Sequence, residues 1–347
     1  SGGAALGPIV GGFLLEHFYW GTVFLINVPV ALVIVIATVR YAPANQADRS
    51  RHWDVISSLW AMVMMVGAVM AIKETANSER NTTIILVAVV AMVVGGALFA
   101  HRQGLLRRRG LQPLLEFGIF RNRMFLGGTL AAAFAMFVLS GVELMTTQRY
   151  QTAGGFSPLE AGLLVASAAV PAIPASILGG ANLHRLGFRT LISGGFSMLA
   201  LGIVIALWAV PSQPLWTLVC GLALVGIGAG MVMSVSSSAI IGSAPVSKAG
   251  MASSVEAISY EFGTLVSVAV LGSLMPMFYA MNAPDAVAHD VDHGVDHAQY
   301  GAAAVEAYDT AYLLVILIAG IVAVLAAVIT ARCFRGNPKE AEYSAHE

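Results

Sequence analysis

Residues 214–240 read PLWTLVCGLALVGIGAGMVMSVSSSAI, a run without one Asp, Glu, Lys or Arg. The hydrocarbon core of a bilayer is about 30 Å thick, and a helix needs roughly 20 apolar residues to cross it. This run is long enough, and it is continuous rather than alternating, so it reads as a transmembrane helix and not as a barrel strand. Its Gly226-x-Gly228-x-Gly230 superficially resembles a nucleotide loop. No strand precedes it and no phosphate-binding Lys follows, so the three glycines read as a helix-packing seam.

Working outward, the same pattern recurs along the chain. Segments 1–15 (incomplete), 21–42, 54–73, 82–101, 124–149, 158–182, 190–210, 214–240, 252–278 and 309–332 give ten expected spans. Composition agrees: of 347 residues, 58% are hydrophobic and 11% charged. A soluble globule is typically about 25% charged, and it could not hide this much apolar surface. The expected class is an all-α polytopic membrane protein. Disorder is excluded, and 18 Lys+Arg against 19 Asp+Glu exclude a basic nucleic-acid binder. Cys220, mid-helix, and Cys333, in a basic tail, suggest no disulfide framework.

The basic residues orient the spans. With residue 1 on the cytoplasmic side, only Lys73, Arg80 and Arg149 face outward, and the other 15 of the 18 Lys and Arg face inward. By the positive-inside rule the carboxy terminus is expected in the cytoplasm. The inner loop 101–123 is basic, with Arg102, Arg107, Arg108, Arg109, Arg121 and Arg123. Its Leu111, Leu114, Leu115, Phe117, Ile119 and Phe120 predict an amphipathic surface helix over 113–123. The outer loop 279–308 carries Asp285, Asp290, Asp292, Asp296 and Glu306 without Lys or Arg. His289, His293 and His297 stand four apart in it, but Gly294 interrupts them, so a flexible acidic loop is expected and not a metal ladder.

Several motifs are more specific. The opening Gly3-x-x-x-Gly7-Pro8-x-x-Gly11-Gly12, followed by Trp20 to Pro29, resembles the fifth and sixth helices of drug/proton antiporters of the major facilitator superfamily. There the glycine-proline element is the antiporter motif. Gly180-Ala181-Asn182-Leu183-His184-Arg185-Leu186-Gly187-Phe188-Arg189 is similar to the family's short cytoplasmic loop, with His184 replacing the usual acid. Pro113 to Arg123 resembles the linker before the carboxy-terminal six helices, and Lys248 to Gly263 the penultimate helix of the 14-helix branch. Within that branch the likeness is to quaternary ammonium and viologen exporters.

The resemblance implies a partial major-facilitator fold lacking its first four helices. Residues 1–42 would supply the last two helices of the amino-terminal bundle. Residues 43–123 would supply two linker helices and a basic cytoplasmic linker, 124–332 the carboxy-terminal six-helix bundle, and 333–347 a cytoplasmic tail. The first-helix carboxylate and fourth-helix arginine of the family pattern are not in this sequence. The related acid in the second half is also absent, where the chain reads Ala169-Val170-Pro171-Ala172.

Candidate sites are then the ionisable residues inside spans, because an intramembrane charge is expensive and by default faces a cavity or a partner. Glu143 lies in the outer half of 124–149. Glu256 and Glu261 lie in 252–278, about 140° apart on a helix. Tyr260 shares the face of Glu256. Asn27, with Pro29, is a further candidate for lining the pathway, and Pro171 and Pro174 predict a kink. Gly180, Arg185, Gly187 and Arg189 mark the cytoplasmic loop motif.

No His-Glu-x-x-His, mid-membrane histidine or P-loop is present, so neither an enzyme nor direct ATP drive is expected. No cofactor and no resident metal are expected. The expectation is a proton-coupled exporter of lipophilic cations, working by alternating access in a bacterial inner membrane, with drugs, protons and lipid as partners and the full-length protein a monomer. The alternatives are an exporter of another amphipathic compound, a lipid or metabolite, and a non-transporting scaffold.

Overall fold

A computed structural model describes residues 2–41, 54–75, 81–111, 113–210, 214–245, 248–291 and 293–335. All regular structure among them is helical: α1 Gly2–His17, α2 Thr22–Leu25, α3 Asn27–Tyr41, α4 Val55–Thr75, α5 Thr82–Arg108, α6 Arg123–Thr152, α7 Pro158–Ala181, α8 Leu183–Ala209, α9 Leu215–Gly242, α10 Ala249–Asn282 and α11 Gly301–Cys333, with short 3-10 turns at Phe117–Arg121 and Gly294–Asp296. Among the described residues, nine stretches are long and apolar enough to cross a membrane, with α2 and α3 counted as one from Thr22 to Tyr41. The tenth expected span, α1, has 16 residues. The break at Ile26 has a local cause: Pro29 has no N–H to offer the carbonyl of Leu25.

Caps written in the sequence set several helix starts. The Asn81 side chain accepts from the backbone N–H groups of Thr83 and Ile84 and opens α5. Asn122 does the same for Met124 and opens α6. Ser157 and Glu160 form a reciprocal capping box, with Pro158 in the first turn of α7. Gly187 interrupts α8 with φ 75°, a left-handed backbone where an L side chain would be strained.

The helices α6 to α11 form one bundle with α6 and α9 at its centre. The glycines of α9 pack on both sides, as the sequence predicts. A Cβ on Gly226 would overlap the carbonyl of Ala168 in α7, and one on Gly221 would lie 2.9 Å from the carbonyl of Gly202 in α8. Without a hydrophobic force between helices in lipid, such backbone contact is what holds them. The pair α4 and α5 forms its own hairpin, which touches α10. Helix α3 buries no residue, and among the described residues its substantial contact is with α2.

Two expectations are corrected. The segment 113–123 is no amphipathic surface helix: Pro113 and Gly118 leave only the 3-10 turn Phe117–Arg121. Its Leu115, Ile119 and Phe120 instead plug the end of the bundle at which α6 starts and α9 ends, packed against a cluster of buried Phe125, Ala132, Ile240, Ala252 and Val255. The outer loop is also shorter than 279–308, because α10 runs on to Asn282 and α11 begins at Gly301. Val287, Ala288 and Gly294 are buried under the helix ends, and the Tyr279 ring packs on Tyr308 with centroids 5.9 Å apart. Asp292, Arg49, Arg51, Arg80, Lys339 and the tail 336–347 lie outside the described residues.

Candidate functional site

Helices α6 and α10 share a close seam. Gly263 faces the carbonyl of Ala133, where a Cβ would not fit. Ser267 donates to the carbonyl of Phe137 (2.7 Å), and Ser140 and Thr264 hydroxyls meet at 3.2 Å. Higher residue numbers face higher ones, so the two helices run parallel. The level of Glu143 on α10 then falls near residue 270. Glu256 lies about 14 residues below it, roughly 20 Å along the axis at 1.5 Å per residue.

Glu143 is half-buried, and among the described residues its carboxylate has no hydrogen-bond or ion-pair partner. It shares one face of α6 with Met136, Ser140 and Thr147, all half-buried, while Ala131, Ala135, Val138, Val142 and Met145 fill the core face. The nearest cation on α6, Arg149, is already taken: its Nε donates to Asp309 of α11 at 2.8 Å, and its guanidinium lies over the Tyr150 ring. Thr146 and Tyr312 join hydroxyls at 3.0 Å beside that pair. Asp309 and its tie to Arg149 were not singled out in the sequence.

Glu256 is half-buried near the start of α10. The Tyr260 hydroxyl lies 3.1 Å from its carboxylate and 3.2 Å from the carbonyl of Met233 in α9. Glu261 is exposed on another face of α10, beside exposed Ile258, Phe262 and Leu265. The structure therefore brings Glu256 and Tyr260 together and keeps Glu143 and Glu261 apart from them. Asn27 is exposed on α3 and reaches none of the three.

The antiporter-motif helix packs on α7. Gly12 is buried, and a Cβ there would lie 2.6 Å from the Pro158 carbonyl, while one on Gly162 would overlap the carbonyl of Pro8. Gly7 and Gly11 have no such neighbour, and Gly3 belongs to the first turn of α1. Glu16 accepts from the Ser157 hydroxyl (3.0 Å) and the Leu159 N–H (3.3 Å) at the start of α7. In the cytoplasmic loop motif, Gly180 abuts Ser234, Arg185 and Arg189 are exposed, and Arg185 donates to His184 at 3.2 Å. A cavity of about 320 Å³ beside Pro171, Pro174, Asn182 and Met231 contains no carboxylate.

A polar chain that sequence reading missed closes the end of the bundle at which α4 and α10 start. Arg102 grips both oxygens of Asp54, Ser57 donates to Asp54, Gln103 donates to Ser57 (2.8 Å) and accepts from Leu115 N–H (3.2 Å), and Glu116 pairs with Lys248. The hydrogen bond from Arg102 holds the Asp54 carboxyl at about 2, below its usual 3.8. Among the described residues, no group of three or more His, Cys, Asp or Glu is placed to hold a metal ion.

Parallel and antiparallel apolar helices, packed by small residues and carrying isolated carboxylates, define a polytopic helical membrane protein of the transporter kind. The chain belongs to the Major Facilitator Superfamily, whose family model matches residues 1–267 and again 124–347. This is a family of transporters, not enzymes. The methyl viologen resistance protein SmvA of Salmonella typhimurium is 36% identical over 278 residues, covering 79% of this chain and 55% of that protein. The multidrug efflux pump LfrA of Mycolicibacterium smegmatis is 33% identical over 282 residues, covering 81% and 55%. A probable actinorhodin transporter of Streptomyces coelicolor is 32% identical over 299 residues, covering 82% and 50%. The chain spans about half the length of these relatives.

Proposed function

We propose that this chain serves proton-coupled export of lipophilic and quaternary ammonium cations across a bacterial inner membrane, by alternating access. In this reading residues 124–332 form the carboxy-terminal six-helix half, 43–123 the linker helices, and the carboxy terminus is cytoplasmic. The observation that carries it is the Glu143 carboxylate, half-buried in an apolar helix and, among the described residues, without a hydrogen-bond or ion-pair partner. An unpaired carboxylate in a poorly solvated place can be neutralised by a proton or by a cationic ligand, and the two compete. That competition is the linkage an antiporter needs; rocking of the two halves then prevents a leak. The relatives' names, a viologen resistance protein and a multidrug pump, fit a cationic substrate.

The test is proton release from the purified chain on addition of methyl viologen. Glu143→Gln is expected to lose most of the release, about tenfold, while folding normally. Unchanged release in Glu143→Gln would overturn the assignment. The actinorhodin transporter among the relatives favours one alternative, a non-cationic amphipathic metabolite. In that case methyl viologen releases no proton from the parent either.

A further inference from the structure

Tyr260 has one hydroxyl hydrogen and two acceptors at nearly equal distance. Glu256 Oε1 on its own helix is at 3.1 Å, and the Met233 carbonyl of α9 is at 3.2 Å. One hydrogen cannot serve both acceptors fully. When Glu256 is ionised, the charge-assisted bond to the carboxylate is the stronger, and the hydrogen goes there. When Glu256 is protonated, its own O–H can donate to the tyrosine oxygen. The tyrosine hydrogen is then free for Met233.

We propose that Tyr260 is a positioning residue for Glu256, which moves its hydrogen bond from α10 to α9 when Glu256 takes up a proton. A bond internal to one helix becomes a bond between two helices, with no side-chain movement required. The proposal goes beyond the Glu143 reading and takes Glu256, the other half-buried candidate carboxylate, as a group that binds a proton.

The surroundings suit this role. No Asp, Glu, Lys, Arg or His lies anywhere in α9, and none lies in α6 between Arg123 and Glu143. Helix α4 carries Lys73 and Glu74 at its far end, and at its near end Asp54 is paired with Arg102. Arg332 stands in the last turn of α11, and Arg121 in the last turn of the 3-10 turn. Glu116 and Lys248 are paired with each other, and Glu261 points to a different face of α10. The Ser236 hydroxyl donates to the same Met233 carbonyl at 3.0 Å and also lies within hydrogen-bond reach of the Tyr260 hydroxyl, so it belongs to the same small polar group. The tyrosine packs against the buried cluster that contains Ile240, Ala252 and Val255.

Difference infrared spectroscopy of the purified chain in lipid nanodiscs, across a pH titration, tests this. The parent is expected to show a protonated-carboxyl band that disappears in Glu256→Gln, together with a pH-dependent tyrosine C–O band that disappears in Tyr260→Phe. In Glu256→Gln the tyrosine band is expected to become independent of pH. In Tyr260→Phe the carboxyl band is expected to persist to about tenfold lower proton concentration, since the ionised form loses a donor. If no parental band is lost in Glu256→Gln, the proton-site reading of Glu256 fails. If Glu256 titrates but Tyr260→Phe leaves its midpoint unchanged, or the tyrosine band ignores pH, the positioning role is overturned and the proton site survives.

Discussion

Helices α3 and α9 are both apolar, yet α3 buries nothing and α9 buries residues on both sides. Helix α3 reads NVPVALVIVIATVRY, rich in branched side chains and without glycine, whereas α9 carries Gly221, Gly226, Gly228 and Gly230 among alanines and serines. Apolarity therefore says only that a segment belongs in the bilayer. Small residues say which segments approach one another, because in lipid the association comes from close packing and not from expulsion of water.

The largest effect that could break this comparison is Gly226→Leu. A side chain there meets the Ala168 carbonyl, and the expected cost is about 3 kcal/mol or more, seen as loss of thermal stability in detergent. The matched change Val33→Leu in α3 should cost less than about 0.5 kcal/mol. Equal losses at the two positions would show that glycine placement is not what separates them.

Gly162→Leu sharpens the boundary between the two regimes. It should lift α1 from α7 through the Pro8 carbonyl while α6 to α11 stay packed. Amide exchange over 9–17 is expected to rise, with a cost of about 1–2 kcal/mol confined to that contact. Fast exchange spreading into α9 would mean that α1 is part of the same cooperative unit.

The smallest effect concerns the α4–α5 hairpin, which is packed through Gly67 and Gly95 and adds an ion pair at its end. Asp54 has a carboxyl held at about 2 against an ordinary 3.8, so its ion pair contributes fully above about pH 4 and is lost as pH falls through about 2. Exposure of the Arg102 side chain keeps the gain small. Opening of the hairpin, followed by exchange of Ser57 and Leu115 amides, should rise by about fivefold between pH 5 and pH 2, and Asp54→Asn should remove that pH dependence. A hairpin equally stable across this range would assign its closure to packing alone.

The spans were legible because continuous apolar runs have one meaning in a chain this poor in charge, and Gly226-x-Gly228-x-Gly230 was legible as a seam. Pairings across long separations were not. Asp309 lies 160 residues from Arg149 and Asp54 lies 48 from Arg102, and nothing in the local pattern joins them. The outer loop was overestimated because Tyr279 and its neighbours look like a span edge, although acidic residues begin only at Asp285. For 113–123, the alternation of apolar and basic residues suggested a membrane surface; Pro113 and Gly118 were the better signal. Among the candidate carboxylates, chemistry was readable but depth and direction were not. Glu256 and Glu261 stand five apart, and only the packed structure separates a residue held by Tyr260 from an exposed one.

The parallel run of α6 and α10 has an electrical consequence. It sets Glu143 and Glu256 roughly 20 Å apart along the seam, about two thirds of a 30 Å hydrocarbon core. An elementary charge moved across a whole membrane gains or loses about 2.3 kcal/mol per 100 mV. Charge passed between these two levels would therefore exchange well over half of that with the membrane voltage. A proton reaching Glu256 from the end of the bundle at which α10 starts crosses little of the field. The two carboxylates sit at different electrical depths, so voltage acts on them unequally even where pH acts on them alike.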